Sequence, residues 1–353
     1  MLGLRLNNKV LEIPIIQGGM GIGVSLGNLA GSVMKQGGMG TISAANPGYK
    51  KTGFMKNPAE CNLVALNEQI VKARSISEGR GVLAVNIMVK GTNYENLVKQ
   101  ALISEVDVII SGAGLPLELP KLVKNSSVAI APIVSSAKAA SVICRSWERK
   151  HQRYPDFIVI EGPDAGGHLG FNRADLENFS APTLEQIFAE VKKIIKPFEI
   201  NVGRSIPLFV AGGIYTNNDI KKYLTLGATG VQIGTRFIAT HECDASDEFK
   251  QKFLDAKKSD IVITKSPAGL PGRALKNTLT KTLENTDRIK PRWCVNCLES
   301  CNPKTTIYCI SEALINAVSD KIEDHALLFS GTNGYRLNKI ISVEELIKEL
   351  IKD

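Results

Sequence analysis

One histidine lies in a sequence context suited to proton transfer. The chain has four histidines, and only His168 follows an apolar, strand-like run, at the end of the glycine-rich stretch EGPDAGGH. An imidazole titrates near neutral pH and can act as a base, an acid or a hydrogen-bond donor. We therefore predict that His168 is catalytic, against the alternative of a loop histidine without a chemical role. Glu161, at the start of the same stretch, could hold an N–H group of a heterocycle.

Two later glycine turns are typical of a phosphate site. Gly212 and Gly213 follow one apolar run, and Gly234 and Thr235 follow the next. The loops after the last two strands of an α/β barrel form a phosphate site in many enzymes, because glycine leaves backbone N–H groups accessible. We predict that these turns hold the phosphate of a cofactor. The competing interpretation is that the glycines only permit tight turns.

An earlier glycine-rich stretch, residues 18–23, superficially resembles a dinucleotide-binding motif. It lacks the GxGxxG order at the start of a helix, and no acidic residue closes the next apolar run. Both features are needed for a Rossmann dinucleotide site, so we reject that interpretation. Glycines here instead predict close approach of the backbone to a flat ring.

Four of the seven cysteines form a cluster. They lie within sixteen positions, in the spacing C-x2-C-x3-C-x7-C: Cys294, Cys297, Cys301 and Cys309. Thiolates at this density suit a soft metal, as zinc or as an iron–sulfur cluster. The spacing differs from that of a standard zinc finger, so a set of reduced thiols is the alternative. We therefore predict a metal site at these four residues.

The elements that must position these residues alternate between strands and helices. Eight Val- and Ile-rich runs are apolar on both faces, as strands of a buried parallel sheet are; they are 13–17, 39–43, 82–88, 106–111, 128–134, 157–161, 208–211 and 229–233. Helical patterns lie between them. Eight such units over roughly 250 residues predict a TIM (β/α)8 barrel rather than an open doubly wound sheet. We assign residues 1–239 and 311–353 to the barrel and 240–310 to an inserted, mostly helical lid that carries the cysteines.

Composition narrows the function classes. The chain has 353 residues, with 43 Lys and Arg against 35 Asp and Glu, a net charge of +8. Basic residues are spread without a run of five, which argues against nucleic-acid binding and leaves small anions or an acidic carrier as partners. No apolar run approaches the roughly 18–20 residues that span a bilayer. An odd number of cysteines and no recognisable signal peptide predict a cytoplasmic protein.

Six segments, taken in order, resemble a known family. They are PIIQGGM, GVLAVNIMV, SGAG, EGPDAGGHLG, AGGI and GATGVQIGTRF. Together they are similar to the FMN-dependent nitronate monooxygenases, formerly 2-nitropropane dioxygenases, and to the related flavin-type enoyl-acyl-carrier-protein reductases. The resemblance covers about residues 10–280. It implies a (β/α)8 barrel with a mostly helical lid and a noncovalently bound FMN.

The resemblance implies a role for each matching site residue. His168 corresponds to the active-site histidine, which in the nitronate enzymes handles the substrate and abstracts a proton from neutral nitroalkanes. Glu161 stands where those enzymes often have Gln. The other residues would bind FMN along its length, from the ring to the phosphate: Met20, Gly21, Asn86, Gly166, Gly167, Gly212, Gly213, Gln232, Ile233, Gly234 and Thr235.

Three functions follow from this comparison of motifs. The first is a nitronate monooxygenase that oxidises alkyl nitronates with O₂. The second is an NAD(P)H-dependent enoyl-acyl-carrier-protein reductase in which FMN relays hydride, and the basic surface would favour the acidic carrier. The third is a flavin-binding redox sensor whose cysteine cluster signals to a partner. The sequence does not set the oligomeric state, and a homodimer is compatible with it.

Overall fold

The computed structural model describes residues 4–6, 9–319, 322 and 325–352, and its centre is a closed barrel of eight parallel strands. In chain order the barrel strands are Ile15–Gln17, Met39–Ser43, Val82–Met88, Val108–Gly112, Ala129–Val134, Ile158–Glu161, Leu208–Ala211 and Gly230–Ile233. The last strand pairs with the first, Val231 with Ile15, which closes the barrel. The predicted TIM barrel and all eight predicted strands are therefore confirmed.

The strands are apolar on both faces because both faces are covered. Inward-facing side chains fill the barrel, where the rings of Phe157 and Phe209 pack edge to face at 5.3 Å. Outward-facing side chains such as Val85 and Ile109 pack against the surrounding helices in a second layer of the core. Side chains alternate between the two faces of each strand, so one apolar run contributes both to the barrel interior and to the layer between strands and helices.

Fourteen helices occur in the part of the chain that the structure describes. They are Gly27–Lys35, Pro58–Ser77, Tyr94–Ile103, Leu119–Leu122, Ala137–His151, Arg173–Glu177, Leu184–Ile194, Lys196–Val202, Asn217–Leu226, Thr235–Ile238, Asp247–Leu254, Thr278–Asn285, Ile310–Ala317 and Val343–Ile351. Several begin at residues with local capping signals. Thr183 and Gln186 form a capping box, and Asn57 caps the helix that begins at Pro58. No helix among the described residues is long and apolar enough to cross a bilayer.

The inserted segment is joined to the barrel through a small antiparallel sheet. Besides helices, the segment contains the strands Ile261–Thr264 and Gly272–Leu275, and the second of these pairs with Gly167–His168. Gly272 is the register partner of His168. The division into a barrel and a separate lid stays a prediction, but the sheet fixes the loop of the predicted catalytic histidine against the insert.

Candidate active site

Two adjoining cavities open at the carboxyl ends of the barrel strands. The smaller, of about 170 Å³, lies over the turns after the first, sixth, seventh and eighth strands. The larger, of about 450 Å³, extends over the second to fourth strands and reaches the inserted segment. Both are lined by Gly21, Glu161, Gly166, Gly167 and Gln232, so they form one continuous cleft. Active sites of this fold lie at this end of the barrel.

The structure brings every residue predicted to be catalytic or to bind FMN into this cleft. Those that line the smaller cavity alone are Met20, Gly212, Gly213, Ile233, Gly234 and Thr235, whereas Asn86 and His168 line the larger one alone. The remaining predicted residues belong to the wall that both cavities share. The proximity follows from topology, because parallel strands of a barrel all end on the same side.

The far end of the smaller cavity is a cradle of backbone groups. Gly212 and Gly213 have φ values of +101° and +78°, a conformation that favours glycine. With Gly234 and Thr235 they line the cavity wall, as does Arg236, whose guanidinium also donates to Glu349 at 2.7 Å. Accessible N–H groups beside a guanidinium suit a phosphate.

A turn from the C-terminal segment completes the cradle, and sequence reasoning missed it. Gly331 and Asn333 line the smaller cavity. The Gly331 N–H donates to Thr235 Oγ1 at 3.0 Å, and Asn333 Nδ2 donates to the Gly213 carbonyl oxygen at 2.7 Å. The available signal was the turn-like sequence SGTNG at 330–334. That signal predicts a turn but not its contact with a loop 120 residues away.

The wall between the cavities has an orphaned hydrogen-bond acceptor. Gln232 Oε1 is buried and has no hydrogen-bond partner within the described residues. Nearby glycines leave no room for side chains: a Cβ at Gly18 would lie 3.2 Å from Gln232, and a Cβ at Gly19 would lie 2.5 Å from Asn86. Buried acceptors are normally satisfied, so this atom calls for a donor on a bound molecule.

Glu161 supplies a donor on the same wall. Burial raises the pKa of its carboxyl to about 8, so the group is protonated at neutral pH and carries an O–H. A neutral acid, an orphaned amide oxygen and a phosphate cradle along one cleft match a flat heterocycle that carries a phosphate. The residues present therefore fit FMN.

Replacement of Glu161 by Gln is expected to flatten the pH dependence of stability. The folded protein keeps this carboxyl protonated up to about pH 8, whereas the unfolded chain ionises it near 4.5. Between these values the unfolded state binds fewer protons, so the free energy of unfolding falls by about 1.4 kcal/mol per pH unit as the pH rises. Glu161→Gln removes this slope. Denaturant unfolding at several pH values measures this slope, and Glu284→Gln, at an exposed carboxyl, is the control. Equal slopes in the wild type and both variants would contradict the raised pKa of Glu161.

The predicted catalytic histidine is neutral and firmly held. His168 Nε2 lies 2.7 Å from Ser266 Oγ, and its ring packs edge to face on Phe329 at 5.0 Å. Burial, assisted by the positive charge of Lys90, lowers the pKa of His168 to about 4. Lys90 is held by donating to the Ala268 carbonyl oxygen at 2.8 Å. The imidazole is therefore a free base at neutral pH.

The larger cavity contains a second unsatisfied polar atom, on Asn93. Asn93 Oδ1 accepts a hydrogen bond from Asn96 Nδ2 at 2.8 Å, whereas Asn93 Nδ2 is buried without a partner among the described residues. Much of the surrounding wall is apolar, with contributions from Leu298, Leu314 and Phe329. The cavity thus offers an apolar space with a donor at one side, and His168 also lines it.

The predicted metal site at the cysteine cluster does not form. All seven cysteines are free thiols, and no three His, Cys, Asp or Glu side chains of the described residues meet as metal ligands. Burial raises the pKa of Cys297 and raises that of Cys309 to about 11, which keeps both protonated. Cys294 is exposed, and Cys301 is half-buried. Cys297 and Ser311 instead line the larger cavity, so this segment contributes a cavity wall.

Comparison with known proteins points to one family. The model of the nitronate monooxygenase family matches residues 5–353. A probable nitronate monooxygenase from Bacillus subtilis (strain 168) is 24% identical over 97% of this chain and 96% of its own length. FabK from Thermotoga maritima has a TM-score of 0.73 at 24% identity, over 97% of this chain and 92% of its own. A nitroalkane oxidase from Streptomyces ansochromogenes has a TM-score of 0.73 at 20% identity, over 96% and 95%. The two solved structures share the fold.

Proposed function

The chain belongs to the nitronate monooxygenase family, and we propose that it uses FMN to oxidise alkyl nitronates with O₂. One observation carries the proposal: a neutral His168 lines a cavity that continues into a cradle suited to FMN. As a member of this family the protein is a flavin-dependent oxidoreductase. Bound FMN would supply the redox chemistry, taking electrons from the substrate and passing them to O₂.

The protein's own residues divide the remaining work. His168 can accept the α-proton of a neutral nitroalkane, because its imidazole is uncharged at neutral pH. Asn93 Nδ2 would donate to an oxygen of the nitro or nitronate group, and the apolar wall would hold the alkyl chain. The insert, paired to the His168 loop, would help to keep bulk water from the reacting atoms.

Anaerobic mixing tests the proposed activity. The FMN-loaded protein is combined with propyl nitronate, with NADH or with NADPH in the absence of oxygen, and the yellow flavin absorbance is followed. Rapid loss of colour with the nitronate is expected, followed by its return when O₂ is admitted. Loss of colour with a nicotinamide nucleotide alone would contradict the proposal.

That opposite result would favour an NAD(P)H-dependent enoyl-acyl-carrier-protein reductase. The size of the larger cavity, about 450 Å³ with an apolar wall that includes Val295 and Ile310, supports this second candidate. Such a space could take an acyl chain longer than a short alkyl nitronate. The net charge of +8 suits an acidic carrier protein as partner.

The proposal includes a cytoplasmic location and a homodimeric assembly. Seven free thiols support a reducing compartment, as expected of a cytoplasmic protein. A homodimer is our working hypothesis for the oligomeric state, and sedimentation of the FMN-loaded protein would test it.

Asn93→Leu is expected to weaken substrate binding. Loss of one hydrogen bond to the nitro group costs about 0.5–1.5 kcal/mol, so KM for nitroalkanes should rise about two- to tenfold, with a smaller change in kcat. Asn172→Leu is a matched control, because both residues precede a helix without capping it through their side chains and Asn172 lies outside both cavities. Steady-state kinetics with nitropropane measures the effect; an unchanged KM in Asn93→Leu would exclude this contact.

A further inference from the structure

The loop that carries Gly166 and Gly167 is held by a buried arginine of the inserted segment. Arg273, in the second strand of the insert, is only 7% exposed. One of its guanidinium nitrogens donates to two carbonyl oxygens of the loop, that of Pro163 at 2.5 Å and that of Ala165 at 2.6 Å. The Arg273 backbone pairs with Gly167, so its side chain and its main chain contact the same loop.

This guanidinium bonds the main chain and not an acidic side chain. None of the ion pairs among the described residues includes Arg273, whose side-chain hydrogen bonds go to the two carbonyl oxygens instead. A buried charge is costly unless its donors are satisfied, and hydrogen bonds from a charged donor are stronger than those between neutral groups. The two bonds therefore fix the path of the loop.

The C-terminal segment holds the same loop from a second side. The Thr332 N–H donates to the Asp164 carbonyl oxygen at 3.1 Å. A Cβ at Gly166 would lie 2.6 Å from the backbone nitrogen of Gly331, so the two stretches of main chain are in close contact. With the two Arg273 bonds, the carbonyl groups of three consecutive residues, 163–165, are thus bound to groups outside the loop.

The direction of these carbonyl groups sets that of a neighbouring N–H group. The peptide between Ala165 and Gly166 is trans, and in a trans peptide the C=O and N–H bonds point in opposite directions. Because the Ala165 carbonyl is directed toward Arg273, the Gly166 N–H points away from Arg273. Gly166 lines both cavities, and its N–H makes no hydrogen bond within the described part of the chain. The cleft therefore has a backbone donor available to a bound molecule.

We propose that Arg273 is a positioning residue for the flavin: it directs the Gly166 N–H into the cleft, where this N–H donates a hydrogen bond to bound FMN. One side chain of the insert thereby shapes the cofactor site on the barrel. The inference rests on FMN as the cofactor of the proposed function, but not on which substrate the flavin oxidises.

Replacement of Arg273 by Met removes both donors and keeps a long, unbranched side chain. Bound FMN must then order the loop itself, and the entropy of fixing the backbone of one residue corresponds to a loss of about 5- to 30-fold in affinity. Titration of the flavin-free protein with FMN measures this loss. Arg288→Met is the matched control, because Arg288 also donates to two carbonyl oxygens, but within the insert and outside both cavities. It should bind FMN as tightly as the wild type.

Hydrogen exchange followed by mass spectrometry locates the effect in the loop. In the flavin-free protein, the peptide that covers residues 162–168 should exchange faster in Arg273→Met than in the wild type or in Arg288→Met. Arg273→Lys should restore slow exchange and most of the affinity for FMN, because an ammonium group can also donate to carbonyl oxygens. If Arg273→Met does not fold, Arg273→Gln replaces it with the same expectation, since its amide is uncharged and too short to reach both carbonyl groups.

Three results would each overturn the proposal. They are wild-type affinity for FMN or wild-type loop exchange in Arg273→Met, an equal loss of affinity in Arg288→Met, and no recovery in Arg273→Lys. The substrate is tested separately. Should NADH bleach the flavin and propyl nitronate fail to do so, while the Arg273 variants behave as expected, the proposed function would be wrong and this inference would stand.

Discussion

His168→Asn is expected to lower turnover of neutral nitroalkanes by about 10²–10⁴-fold, the usual contribution of a general base. Turnover of preformed nitronates should fall far less, because the α-proton has already been removed from them. Asparagine keeps a polar group near Ser266 but cannot accept a proton. Steady-state rates with nitropropane and with propyl nitronate, measured side by side as oxygen consumption, give the ratio directly.

The pH profile provides an independent check of the same role. Because burial lowers the pKa of His168 to about 4, the wild-type kcat/KM for nitroalkanes should stay level through neutral pH and fall only as the pH approaches 4. Folding stability should also decrease in acid. The unfolded chain protonates this histidine near pH 6.5, whereas the folded protein does so only near pH 4, so the free energy of unfolding falls as the pH drops from 6.5 to about 4. His241→Asn, at an exposed histidine outside both cavities, is the control. Equal losses for both substrates would exclude proton abstraction by His168.

The barrel and the glycine turns that line its cleft could be predicted from the sequence because their signals are local. A buried parallel strand is a continuous apolar run, and the glycines that follow it, such as Gly212 and Gly234, lie within a few residues of its end. Topology then does the rest, since all strand ends converge on one side of the barrel. Sequence reasoning could therefore predict the barrel and bring His168 and the glycine turns to one cleft without knowing any pairing between distant segments.

Contacts between distant segments could not be predicted from the sequence, for the opposite reason. Ser266 is 98 residues from His168, and Gly331 is 96 residues from Thr235. Neither contact has a periodic or compositional signal, because each depends on how the insert packs over the barrel. The metal site predicted at the cysteine cluster was wrong for a related reason. Close spacing in sequence suggested that the four thiols meet around one metal ion, but Cys297 lines the cavity and Cys294 is exposed.

Gly167→Ala is expected to weaken FMN binding about 5- to 150-fold. Gly167 lines both cavities, and a Cβ built there would have no protein atom within 4 Å, so the added methyl would occupy space in the cleft itself. Overfilling a close-packed site costs about 1–3 kcal/mol, which corresponds to this loss of affinity. Titration of the flavin-free protein with FMN, followed by quenching of flavin fluorescence, measures the dissociation constant.

Backbone strain has to be separated from that steric effect, and the chain offers a matched control. Gly167 has φ +78° and Gly203, which ends the helix Lys196–Val202, has φ +69°; a Cβ at Gly203 also meets nothing within 4 Å. Alanine at either position therefore carries the same left-handed cost of about 1–2 kcal/mol in folding stability. Because Gly203 lies outside both cavities, Gly203→Ala should keep wild-type affinity for FMN while losing similar stability. Equal affinity for FMN in the two variants would mean that the flavin does not lie over Gly167.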